Sequence, residues 1–129
     1  MPQVKIYGIA ESLRPIRTQL SDVIQGCMVD GIGLPPKKRF QRFILLDAED
    51  FIYSMDRTAQ YIIIEISMFE GREVATKKKL LKLLMERIHQ QLNIPTNDIE
   101  ITIYETPRCN WGIRGQTGDE LGLSYRIET

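Results

Sequence analysis

Tyr61-Ile62-Ile63-Ile64-Glu65-Ile66-Ser67-Met68 is a nearly continuous apolar run. It is too short for a typical helix and rich in β-branched side chains, which reads as a strand. Apolar residues at both alternating sets of positions suit a central strand covered on both faces. Gly71 breaks the run. From Glu73 to Leu92, Val74, Leu80, Leu81, Leu83, Leu84 and Ile88 supply the inward side of a long helix. Asn93 and Pro95 close that helix. Asp98 to Glu105 alternates apolar and polar residues and reads as a second strand. This half is therefore strand, helix, strand.

The same order precedes it. Val4 to Gly8 reads as a strand. Ser12 is placed to cap a helix, and Pro15 falls in its first turn. Leu13, Ile16, Leu20, Val23, Ile24, Cys27 and Met28 recur at three- and four-residue steps on one helix face. Gly31 and Gly33 end the helix, and Pro35-Pro36 forbids its restart. Phe40 to Leu46 reads as the second strand. Asp47 to Gln60 is a polar connection holding Phe51, Ile52 and Tyr53. After Pro107, residues Asn110 to Gly115 form a glycine-rich loop, and Leu121 to Ile127 is expected to add a final short strand.

The fold class expected is thus α+β, one domain over 1–129 with halves of about 1–60 and 61–129. Each half is a βαβ unit whose two strands run parallel through a right-handed crossover. Side by side, the units give a four-stranded mixed sheet with two helices on one face. The other face, expected to carry Ile62, Ile64, Ile66, Ile101 and Ile103, would be too apolar for a monomer. An oligomer that buries this face is expected, with C-terminal residues reaching across to a neighbour.

Lys plus Arg and Asp plus Glu both number 17 in 129 residues. That balance speaks against a general nucleic-acid or membrane-surface binder. No run is apolar and long enough to span a bilayer, and no secretion signal opens the chain. Cys27 and Cys109 form no metal or redox motif and read as free thiols in the cytoplasm. His89, the single histidine, and Lys77-Lys78-Lys79 read as solvated helix residues.

Pro2 stands where removal of Met1 would leave a secondary amine at the start of a strand. Such an amine is a general base or a nucleophile towards carbonyls; with Met1 retained, the same nitrogen is an amide without basicity. Together with Pro35-Pro36-Lys37-Lys38-Arg39-Phe40-Gln41, Phe69-Glu70-Gly71-Arg72 and Asn110-Trp111-Gly112-Ile113-Arg114-Gly115, Pro2 makes the chain resemble the tautomerase superfamily over nearly its whole length. The branch it resembles most includes malonate semialdehyde decarboxylase.

The resemblance implies a homotrimer that acts on a small enol or keto carboxylic acid, with no metal or other cofactor. It implies Pro2 as the base and Arg72 as the carboxylate anchor. Arg39 is a second candidate anchor, acting from the same or an adjacent subunit. Trp111 is either an apolar wall beside the amine or plain packing. Lys37-Lys38-Arg39 either forms a polar loop or supplies positive potential at a pocket for an acidic substrate, and Arg114 either bonds its own loop or touches substrate. In the decarboxylase an aspartate precedes the Arg-aromatic-Gln stretch; Lys38 stands there in this chain. A cation cannot accept a proton from water, which speaks against hydrolytic decarboxylation. A member of the fold that binds a carboxylate or a protein partner without turnover is the alternative.

Overall fold

The computed structural model describes residues 2–122. In chain order these form β1 (Gln3–Ile9), a short helix α1 (Ala10–Leu13), α2 (Arg17–Ile32), β2 (Gln41–Leu46), β3 (Ile62–Phe69), α3 (Val74–Leu92) and β4 (Ile99–Thr106). A small hairpin, β5 (Gly112–Ile113) with β6 (Gln116–Thr117), follows. The main sheet has the order β2-β1-β3-β4. The strands of each βαβ unit are parallel, and the units meet through antiparallel β1 and β3.

Local chemistry sets the boundaries. Gly33 adopts φ 70° and ends α2, its N–H reaching the Met28 and Val29 carbonyls. Gly31 is not a terminator: it lies inside α2, where a Cβ would come 3.1 Å from Leu80 Cδ1. It is the close-packing point of the two long helices. Ser12 is not a cap either. Ile9 occupies the cap position of α1, and Ser12 Oγ donates to the Ala59 carbonyl at 2.7 Å. Pro15 sits in the 3-10 turn that joins α1 to α2. Asn93 closes α3 at φ 61°. The strand expected over Leu121–Ile127 falls largely outside the described residues; Leu121 and Gly122 belong to no strand.

Helices α2 and α3 pack on each other and on one face of the sheet. Val4 and Ile6, the β3 set Ile62, Ile64, Ile66 and Met68, and the helix residues Leu20, Ile24, Leu80 and Leu84 form one buried cluster. Ile101 and Ile103 pack half-buried against it. These isoleucines therefore face the helices, which corrects their expected place on the uncovered face. Side chains alternate along a strand, so the uncovered face receives the other set: Lys5 and Tyr7 of β1, Arg42 and Ile44 of β2, Ile63 and Glu65 of β3, Thr102 and Tyr104 of β4. It is mixed rather than apolar. Both oxygens of Glu65 are engaged there, Oε1 accepting from the Tyr7 hydroxyl at 2.8 Å and Oε2 from the Tyr104 hydroxyl at 3.3 Å.

The connection between the units folds back over one end of this face. Phe51 stacks on Tyr61 at 5.4 Å, and the pair packs with Ile9, Leu46, Tyr53 and Ile63. Asp98, buried ahead of β4, accepts from both the Thr58 N–H (2.9 Å) and the Thr58 hydroxyl (2.5 Å), which pins the connection.

Two outcomes follow from this packing. Ile64→Ala should lower stability by about 2–5 kcal/mol through a cavity under both helices, and Ile63→Ala by clearly less; urea unfolding of the two variants compares the faces. Burial pushes the Cys27 thiol up to about 11, above an exposed thiol at about 8.5. The folded chain holds that proton more tightly, so the contribution is complete below pH ~8.5 and is lost as pH rises towards the folded value. Urea midpoints measured from pH 8 to 11 should fall, and Cys27→Ala should make the fall shallower.

Candidate active site

The strand register gathers distant segments at one end of the sheet. Antiparallel pairing sets Gln3 opposite Ser67, so the start of β1 lies beside the end of β3. The Val4 N–H donates to the Phe40 carbonyl at 3.0 Å, bringing the approach to β2 alongside. Phe69 pairs with Thr106, and the Glu70 N–H donates to the Thr106 carbonyl, bringing the end of β4 there as well. Pro2, Arg39, Phe40, Arg72 and Trp111 thus share one end of the sheet.

Pro2 is buried just ahead of β1. Arg72 follows Gly71, whose φ of 124° turns the chain out of β3, and is only 6% exposed. A guanidinium so placed has lost most of its water, which strengthens any interaction it makes with an anion. Trp111 is fixed on two sides. Its indole N–H donates to Thr106 Oγ1 at 2.5 Å, and its ring meets Phe69 edge-on at 5.1 Å. The Arg108 guanidinium lies over the Phe69 ring at 5.5 Å. Gln3, Phe40, Trp111, Gly112 and Ile113 line a cavity of about 160 Å³. A second cavity of about 330 Å³, lined by Gln3, Arg39, Phe40, Gln41 and Arg42, shares Gln3 and Phe40 with the first.

The other expected residues are placed differently. Arg39 reaches back to α2, its Nη1 donating to Asp22 at 2.7 Å and to Ser21 Oγ at 3.2 Å. Lys38, like Pro2 and Arg72, lines neither cavity. It sits half-buried in a turn held by its N–H to the Pro35 carbonyl and by the Gln25 amide donating to its own carbonyl at 2.8 Å. Arg114 is exposed at the tip of the β5–β6 hairpin. Its φ of 52° with Gly115 at 79° makes the two-residue turn that matches strand twist. Lys77 is not merely solvated, because it pairs with Glu105 of β4 at 2.7 Å. His89 lies in the last turn of α3, Nδ1 lying 2.8 Å from the Ile94 carbonyl.

Sequence reading missed Gln3, Phe40 and Arg42 as lining residues. Only the parallel register, which sets the first residues of β2 beside those of β1, reveals them. Another cavity, of about 430 Å³, lies between α2 and α3; it is lined by Gln19, Arg87 and Asp22, the partner of Arg39, and by none of the site residues expected from the sequence. Among the described residues, no group of three or more His, Cys, Asp or Glu is arranged to hold a metal ion. No helix among them is long and apolar enough to cross a membrane.

The Trp111 loop has its own test. The Gly118 N–H donates to the Trp111 carbonyl at 2.8 Å, and a Cβ on Gly118 would overlap the Arg108 carbonyl oxygen. Gly118→Ala should shift the emission maximum of the single tryptophan. Gly112→Ala, whose Cβ would meet nothing within 4 Å, should leave it unchanged.

A family model described as "Tautomerase enzyme" matches residues 38–114. The 2-hydroxymuconate tautomerase of Pseudomonas putida is 34% identical over 58 residues, which cover 45% of this chain and 92% of that protein. A fused 4-OT, solved as an asymmetric trimer, superimposes with a TM-score of 0.82 at 25% identity, covering 94% of this chain and 99% of that one. Malonate semialdehyde decarboxylase superimposes with a TM-score of 0.79 at 19% identity, covering 88% and 92%, and so shares the fold.

Proposed function

Because the chain belongs to the tautomerase family, we propose that it interconverts the enol and keto forms of a small carboxylic acid, with the Pro2 amine as the base. The observation that carries this reading is the convergence of Pro2, Arg72 and the Trp111 loop at one end of the sheet. Once Met1 is removed, the Pro2 nitrogen takes the enol hydroxyl proton and delivers a proton to carbon. A useful base has a pKa near the working pH. An ordinary α-amino group lies at about 7.7–8, and an apolar wall with a nearby guanidinium disfavours its charged form.

Arg72 holds the substrate carboxylate, for which a guanidinium offers two parallel hydrogen bonds. Trp111 and Phe40 exclude water beside the amine. Proton transfer needs no acid in place of Lys38, whereas hydrolytic decarboxylation by an aspartate-assisted route would. The chain works as a homotrimer in the cytoplasm. Support for the trimer comes from the trimeric fused 4-OT with the same fold.

In protein whose mass shows Met1 removed, Pro2→Ala should slow ketonisation of an enol acid by about 10²–10⁴, the scale of one positioned acid–base group. An unchanged rate removes Pro2 from the mechanism. Arg72→Gln should raise KM about ten- to hundredfold, the scale of hydrogen bonds to a charged group. If KM holds, the carboxylate is anchored elsewhere.

A further inference from the structure

We infer that Gln25, a residue of α2 that lines none of the cavities above, is a positioning residue for the site: its amide fixes the turn at 35–38 and through it the place of Phe40. The inference deepens the enol-acid reading above and rests on it for the role of Phe40, which is to keep water from the amine.

The turn depends on a donor from outside itself. Pro35 and Pro36 carry no backbone N–H. The turn closes through the Lys38 N–H, which donates to the Pro35 carbonyl at 2.9 Å. Gln25 Nε2 then donates to the Pro36 carbonyl at 3.3 Å and to the Lys38 carbonyl at 2.8 Å. Gln25 is only 5% exposed. A glutamine is seldom so buried, and hydrogen bonds shielded from water hold more firmly than exposed ones.

The neighbouring residues are gripped by the same helix. Arg39 pairs with Asp22, but both side chains are exposed, and such pairs contribute little. Ser21 Oγ donates to Gln41 Oε1 at 2.6 Å, and Gln41 Nε2 donates back to the Ser21 carbonyl at 3.2 Å. Positions 21, 22 and 25 of α2 thus hold residues 36, 38, 39 and 41. Phe40 lies between the held residues. Its ring is 45% exposed, so packing alone does not fix it, yet it lines both cavities at this end of the sheet. Its carbonyl accepts from the Val4 N–H, two residues beyond Pro2. A displaced turn therefore moves Phe40 against the start of β1.

The test compares Gln25→Leu and Gln25→Glu with the wild-type chain, in protein whose mass shows Met1 removed. The first readout is amide hydrogen exchange, which needs no ligand. Gln25→Leu should lower the protection of Val4 about tenfold, the scale of one lost hydrogen bond. It should leave Glu70 unchanged, whose N–H donates to the Thr106 carbonyl at the same end of the sheet. Gln25→Glu keeps the shape and changes the donor. Its carboxylate cannot donate at about pH 8, whereas burial keeps the group protonated, and able to donate, at about pH 5. Val4 protection relative to wild type at the same pH should be low at the higher pH and restored at the lower. If Gln25→Leu fails to fold, the Gln25→Glu comparison decides.

The second readout is the pH profile of enolpyruvate ketonisation. With Phe40 displaced, water reaches the amine and favours its charged form, so the rising limb for Gln25→Leu should move to higher pH. The inference is overturned if Val4 keeps its protection in Gln25→Leu, if Val4 and Glu70 lose theirs together, if Gln25→Glu behaves alike at both pH values, or if the limb stays in place. If the wild type does not ketonise enolpyruvate, or Pro2→Ala does so as fast, the enol-acid reading falls, and amide exchange alone judges whether Gln25 places Phe40.

Discussion

The antiparallel seam between β1 and β3 is the contact on which the rest of the molecule depends. Each βαβ unit is internally parallel, so each sends its functional loops to the end where its strands finish. Antiparallel pairing at the seam reverses one unit against the other. The beginning of β1 is thereby set beside the end of β3. A parallel seam would leave Pro2 and Arg72 at opposite ends of a strand of seven or eight residues, more than 20 Å apart at about 3.3 Å per residue. The isoleucines on the helix side of the seam are almost wholly buried. The hydrophobic term thus fixes the seam, and the seam fixes the site.

The fold was legible because its signals were redundant. The Ile62–Met68 run, the two helical periodicities and the alternation over Ile99–Glu105 each point to a βαβ pair. What misled was facing. Ile62, Ile63, Ile64 and Ile66 in succession do not say which set meets the helices, since both alternating sets contain isoleucine. The helices chose the set at 62, 64 and 66, leaving Ile63 to the aromatic connection and Glu65 to the open face. Gly31 misled for a related reason: a glycine near a helix end reads as a stop, while here its missing side chain admits Leu80.

The site was legible in part. Pro2, Arg72 and Trp111, singled out in the sequence, lie at one shared end of the sheet. Lys38 and Arg114 look equally suitable in sequence, yet backbone geometry spends one on a turn and the other on a hairpin tip. Gln3 and Arg42 carry no motif, and Phe40 stands in one without a role marked for it. Their importance comes from strand register, which joins residues about forty positions apart and leaves no local mark on the sequence.

The two units have the same architecture but cannot have the same chemistry. A free amine exists only where a chain begins, so the strand that opens the first unit can end in one. The corresponding strand of the second unit begins at Ile62, inside the chain, where every nitrogen is locked in a peptide bond. Joining two copies of one architecture end to end silences the amine of the second and frees its sequence from serving it. In this chain the second half holds Arg72 and Trp111 instead. In the proposed reading the two halves divide the labour, the first carrying the base and the second the anchor and the enclosing loop.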